Sequence, residues 1–217
     1  MNGLPKFHVI SDGTKDVPEL VRYAIAIHPY LDAFHLREKS WSAYKLSYAV
    51  EQLLEAGMPA GKLYINDRAD IAKAYKLGGV QLGGESLSPI RARTVVGSRT
   101  MIGRSIHNAE ELREAAGQGA DYCIYGHIYP TSSKQGLTAR GLHQLANLCG
   151  PSAIPVIAIG GITPGRVSEV LQAGVDGIAV MSGVMGSPDP AGAAGQYQQA
   201  LLKETIGGLL REELERK

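Results

Sequence analysis

The chain has 217 residues, 44% of them hydrophobic and 20% charged, with a formal net charge of +1. That length suits one large domain, and the near-zero charge excludes a general electrostatic footprint for nucleic acid or an acidic membrane surface. No stretch reaches the ~18 apolar residues of a membrane span, and residues 1–6 hold no signal-type segment, so a cytoplasmic single-domain protein is expected.

Short apolar runs alternate with longer helical patterns along the whole length. Strands are expected at residues 6–12, 31–37, 62–66, 79–82, 100–104, 121–125, 155–159 and 177–180. Helices are expected at 16–28, from a Ser40 cap to Gly57, at 69–77, from Ser88-Pro89, and at 108–117, 141–148, 164–173 and 189–211. About eight strand-then-helix units imply a parallel sheet covered by helices, and in a chain of this size a (β/α)₈ TIM barrel. A doubly wound open sheet is the alternative. The two cysteines, Cys123 and Cys149, lack metal-ligand spacing and read as free thiols of a reducing compartment.

In a barrel the reactive groups collect at the C-terminal ends of the strands. Strand two ends in His35-Leu36-Arg37-Glu38-Lys39, where alternation puts His35, Arg37 and Lys39 on one face and Phe34 with Leu36 on the other. Three potential cations facing the barrel mouth ask for an acidic ligand, or else for a structural carboxylate such as Glu38 or Asp32. Strand three ends in Asn66-Asp67-Arg68, which alone reads as a helix cap, and strand four in Gly83-Gly84-Glu85-Ser86. Strand five puts Ser105 and His107 on one face.

Strand six runs into Tyr125-Gly126-His127-Ile128-Tyr129-Pro130-Thr131-Ser132-Ser133-Lys134, a loop with hydroxyls and a lysine for an anion and one imidazole that titrates near neutrality. Gly160-Gly161 after strand seven and Met181-Ser182 after strand eight occupy the recurrent phosphate site of such barrels. His8 reads as a satisfied interior histidine, and His28 and His143 as surface residues. His107 is left open.

Taken together, the motifs at 35–39, 65–68, 125–131, 159–162 and 180–182 resemble, in order, those of the thiamine phosphate synthase superfamily, over essentially the whole chain. The resemblance implies two branches. Synthases join a pyrimidine pyrophosphate to a thiazole phosphate with magnesium, held by aspartates at the positions of Asp67 and Ser86. TenI-type thiazole tautomerases isomerise a thiazole phosphate carboxylate without metal. Ser86 in place of an aspartate weakens a hard-cation site, and His35 and His127 stand where synthases carry glutamine and proline.

These departures lead to the expectation of a metal-independent thiazole tautomerase with no cofactor. Its product would be 2-(2-carboxy-4-methylthiazol-5-yl)ethyl phosphate, and His127 would be the catalytic acid/base. His35, Arg37, Lys39, Asn66, Ser105 and Lys134 are the expected substrate-binding residues, and Gly160, Gly161, Met181 and Ser182 the phosphate-binding ones. Thr131, Ser133 and Lys134 retain part of a pyrophosphate loop, so a synthase, or a non-catalytic regulatory barrel, are the alternatives. A homodimer is compatible with the C-terminal helix.

Overall fold

Each strand is four to six residues built around apolar side chains, and each is followed by a helix whose apolar stripe needs a partner. The computed structural model describes residues 6–134 and 136–215. Residues 1–5 of the leading segment, in which no signal was expected, lie outside these.

The strands β1 (Phe7–Ile10), β2 (Ala33–Leu36), β3 (Leu63–Asn66), β4 (Gly79–Leu82), β5 (Met101–Ile106), β6 (Tyr122–Gly126), β7 (Val156–Ile159) and β8 (Gly177–Val180) pair in sequence order. All eight pairings are parallel, and β8 closes on β1. The covering helices are α1 (Val17–Ile27), α2 (Ala43–Glu55), α3 (Ala69–Ala74), α4 (Pro89–Val96), α5 (Ala109–Gly117), α6 (Gly141–Cys149), α7 (Val167–Gln172), α8 (Ser182–Met185) and α9 (Pro190–Glu215). The fold is a single-domain (β/α)₈ barrel, as the alternation of elements implied. No helix among the described residues is long and apolar enough to cross a membrane.

Local chemistry sets the helix starts. Asp16 caps α1 by accepting from the Glu19 N–H at 2.9 Å, and Asn108 caps α5 by accepting from the Glu111 N–H at 2.8 Å. The α2 cap is Ser42, not Ser40: its hydroxyl takes the Lys45 N–H at 3.2 Å. Residues 164–166 form a 3₁₀ turn ahead of α7, and the single-turn helix α8 was not anticipated.

Two apolar layers result. Phe34, Leu36, Leu63, Ile65 and Val80 face outward into the helices and are fully buried, each such side chain contributing about 1.5–3 kcal/mol. Inside the barrel, Ile10, Ala33, Tyr64, Tyr122, Ile124, Ile157 and Ala179 form a second cluster. Two rings cross the barrel because the neighbouring strand lacks a side chain: a Cβ on Gly79 would collide with the Tyr64 ring, and one on Gly103 with Tyr122. His8 Nδ1 lies 2.8 Å from His35 Nε2 in this interior, and His35 stacks on Tyr64 at 5.1 Å. Burial, and after it the neighbouring His8, pushes the His35 imidazole well below its ordinary range, so it is neutral. Cys123 and Cys149 are free thiols, pushed up to about 12 and about 11 by burial.

Candidate functional site

Inward-facing residues near the C-terminal ends of β1 and of β3 to β8 form the floor of a cavity of about 580 Å³ at the C-terminal face of the barrel, a size suited to small phosphorylated ligands. Its floor has two halves. Ile10, Ile124, Ile159 and Ala179 make one side apolar, while Asn66, Gln81 and Ser105, from β3, β4 and β5, make the other polar.

Arg37 enters the wall from the end of β2, and its backbone N–H is held by Ser11 Oγ at 2.8 Å. Two neighbours expected beside it are placed elsewhere. His35 is fully buried beneath the floor, paired with His8, and Lys39 is exposed outside the lining. Alternation put His35 on the inward face but did not give its height along the barrel axis, and Lys39 lies beyond the end of β2. Glu38 is also buried, and burial raises its carboxyl above the usual range.

The β6 loop closes one flank. His127 is 7% exposed and lines the cavity, with Nε2 3.2 Å from the Leu137 carbonyl oxygen. A carbonyl only accepts, so the hydrogen resides on Nε2 and Nδ1 is the basic nitrogen. The loop base is fastened by Arg140, whose backbone N–H donates to the His127 carbonyl and whose Nε donates to the Gly126 carbonyl, both at 3.0 Å. Thr131, and Ser133 and Lys134 of the loop's short 3₁₀ turn, line the cavity.

Directly beside this loop, at the ends of β7 and β8, lie Gly160, Gly161, Met181 and Ser182, all four of them lining residues. Gly160 packs so tightly on His127 that a Cβ there would collide with the histidine Cα and Cβ, and Gly161 has φ 66°, the left-handed region that glycine favours. The loop after β7 is held by the Tyr197 hydroxyl, which donates to the Ile162 carbonyl at 2.9 Å. Arg166, absent from the expected residues, lines the cavity next to this pair. Its guanidinium donates to the Gly161 carbonyl at 3.0 Å and lies 4.3 Å over the Tyr129 ring. The Tyr129 hydroxyl donates to Glu169 at 2.6 Å, and burial with that carboxylate pushes the phenol up to about 12. A basic residue one turn after a Gly-Gly pair was the available signal for Arg166. For Gln81 it was the inward register of β4.

Asp67 and Ser86 are outside the cavity lining, at the ends of β3 and β4. Asp67 has φ 63°, and its Oδ1 accepts from the Gly83 N–H at 3.3 Å and from the Ser86 hydroxyl. Oδ2 has no partner among the described residues, where no group of three His, Cys, Asp or Glu able to hold a metal occurs. One open carboxylate oxygen beside a hydroxyl fits a magnesium ion that arrives with phosphate oxygens and water as its remaining ligands, and does not fit an all-protein cage.

Residues 7–184 match the TMP-TENI family, described as thiamine monophosphate synthase. The chain belongs to this family. A thiamine-phosphate synthase of Salinibacter ruber is 37% identical over 96% of this chain and 89% of its own length. One of Haloquadratum walsbyi is 36% identical over 87% and 86%. The solved thiamine phosphate pyrophosphorylase from Pyrococcus furiosus superposes with a TM-score of 0.75 at 34% identity, covering 91% of this chain and 96% of that one.

These relatives overturn the expectation of a thiazole tautomerase and of an isomerase. Their names are those of synthases, and the similarity runs through nearly the whole chain. The tautomerase assignment had rested on a few side chains, chiefly His127 and Ser86.

Proposed function

We propose that this protein is a thiamine-phosphate synthase, a transferase that couples a pyrimidine pyrophosphate to a thiazole phosphate. The observation that carries it is the similarity to named synthases across most of both chains. The cavity supports it by offering two sets of anion-binding groups to two phosphorylated substrates. One set is Arg37 after β2 with Thr131, Ser133 and Lys134 of the β6 loop, and the other is Gly160, Gly161, Met181, Ser182 and Arg166 after β7 and β8. The charged donors of the first set suit the more highly charged pyrophosphate, and the backbone N–H groups of the second suit a single phosphate.

In the coupling, a C–N bond forms between the thiazole nitrogen and the pyrimidine methylene carbon. The C–O bond to pyrophosphate breaks, and its electron pair leaves with the pyrophosphate. Arg37 and Lys134 would stabilise the charge that develops there, and the apolar half of the floor would hold the thiazole ring with its nitrogen facing that carbon. No proton transfer limits this step. His127 accordingly acts by packing against Gly160 and by its hydrogen bond to Leu137, which together hold the anion loop over the cavity. Asp67 with Ser86 would hold magnesium, which supplies further neutralisation of the leaving group when bound.

The test is to incubate the protein with both substrates and magnesium and to follow thiamine phosphate and released pyrophosphate. Equal amounts of the two products are expected. A protein that binds either substrate yet forms neither product would end this reading.

A further inference from the structure

We propose that Tyr122 and Gln81 are positioning residues that aim the Ser105 hydroxyl proton into the cavity, where it reads a ring nitrogen of the pyrimidine substrate. This deepens the coupling reading and rests on it. The three residues form one chain across β6, β4 and β5. The Tyr122 hydroxyl donates to Gln81 Oε1 at 3.0 Å, and Gln81 Nε2 donates to Ser105 Oγ at 3.1 Å. Tyr122 is 0% exposed and outside the cavity lining, so its phenol has no water as an alternative partner.

The direction of the chain is fixed from its buried end. Tyr122 has no other hydrogen-bond partner among the described residues. Were the Gln81 amide reversed, its NH₂ would face the phenol and the phenolic proton would be left unpaired in the barrel interior. A buried unpaired donor is the expensive outcome, so the phenol holds the amide carbonyl towards itself. The amide N–H must then face Ser105 and occupy a lone pair of its oxygen. The Ser105 proton has no acceptor among the described residues and is free for a ligand.

Register supplies the geometry. Gln81 pairs with Gly103 and Gly103 with Tyr122, so the three lie on one rung. A Cβ on Gly103 would collide with both Gln81 Oε1 and the Tyr122 phenol. The gap left by that glycine is what lets the phenol reach the amide. Ser105 lies two residues further along β5, on the same inward face, and lines the cavity. This polar half of the floor suits the pyrimidine, whose ring nitrogens accept hydrogen bonds, while the apolar half is left for the thiazole.

The test is calorimetric binding of the pyrimidine pyrophosphate to the parent, Tyr122→Phe and Gln81→Glu, with KM for the thiazole phosphate measured beside it. In Tyr122→Phe the amide is free to reverse. In Gln81→Glu a carboxyl oxygen takes the Ser105 proton. Each should weaken pyrimidine binding about tenfold and leave the thiazole KM within about twofold, the size expected when one hydrogen bond to a ligand is lost. Unchanged pyrimidine affinity in both variants overturns the inference, and so does an equal loss for both substrates, which marks structural damage. A parent that does not bind the pyrimidine overturns the coupling reading itself.

Discussion

Ser86 puts a hydroxyl where the family resemblance implies a carboxylate, against a single aspartate with one open oxygen. A hard cation gains most from charged oxygen ligands, so Ser86→Asp should tighten magnesium binding, by about tenfold or roughly 1.4 kcal/mol. Two carboxylates side by side repel when no ion is present. The variant should therefore melt below the parent without magnesium and gain more from added magnesium than the parent does. Titration of the melting temperature with magnesium checks this without reference to turnover, and identical titrations for the two proteins would contradict it. His35 marks what sequence could not supply at this scale. Two-residue alternation grouped it with Arg37 and Lys39, yet only Arg37 lines the cavity, because His35 is buried beneath the floor and Lys39 lies exposed beyond the end of β2. Gly160, Gly161, Met181, Ser182, Asn66 and Ser105 line the cavity because each lies within two residues of the end of a strand, and Lys134 lines it from the longer loop after β6.

Among the elements, β5 depends on an absent side chain. Gly103→Ala adds one methyl into space already filled by Gln81 Oε1 and the Tyr122 ring. Overpacking of a rigid interior costs about 1–3 kcal/mol. In a domain of this size that lowers the melting temperature by about 2–4 °C per kcal/mol. Gly117→Ala at the end of α5, where an added Cβ meets nothing within 4 Å, is the matched control and should leave the midpoint unchanged or slightly raised. Equal midpoints for the two alanine variants in a thermal scan would show that the barrel accommodates the methyl. Strand order was legible because eight apolar runs alternate with helical patterns and parallel strands need crossovers. Details carried by one hydrogen bond were not, such as Ser42 instead of Ser40 at the start of α2. The four-residue α8 is too short to leave a periodic signal.

For the whole molecule, the barrel interior stores an acid sensitivity in His35. Its folded imidazole is held well below the ordinary histidine range, chiefly by burial and next by His8, whereas in the unfolded chain it titrates near ~6.5. Below that pH the unfolded state takes up a proton that the folded state refuses. Stability therefore is constant above about pH 6.5 and falls as pH drops beneath it, by up to about 1.4 kcal/mol per pH unit for the one proton. Glu38, Asp12 and Asp70 are also shifted from their ordinary values, Glu38 upward and the two aspartates downward, and they contribute equally to any variant that leaves them in place. His35→Gln keeps a hydrogen-bonding side chain but removes the titrating ring. It should lose stability at pH 7.5, where the His8–His35 hydrogen bond is forfeited, while its stability declines less steeply than the parent's between about pH 6.5 and pH 5. Urea unfolding midpoints at half-unit pH steps compare the two slopes. Parallel curves for parent and variant would mean that the buried imidazole pair accepts a proton in the folded barrel. Convergence of the curves at low pH is the result that neutral burial requires.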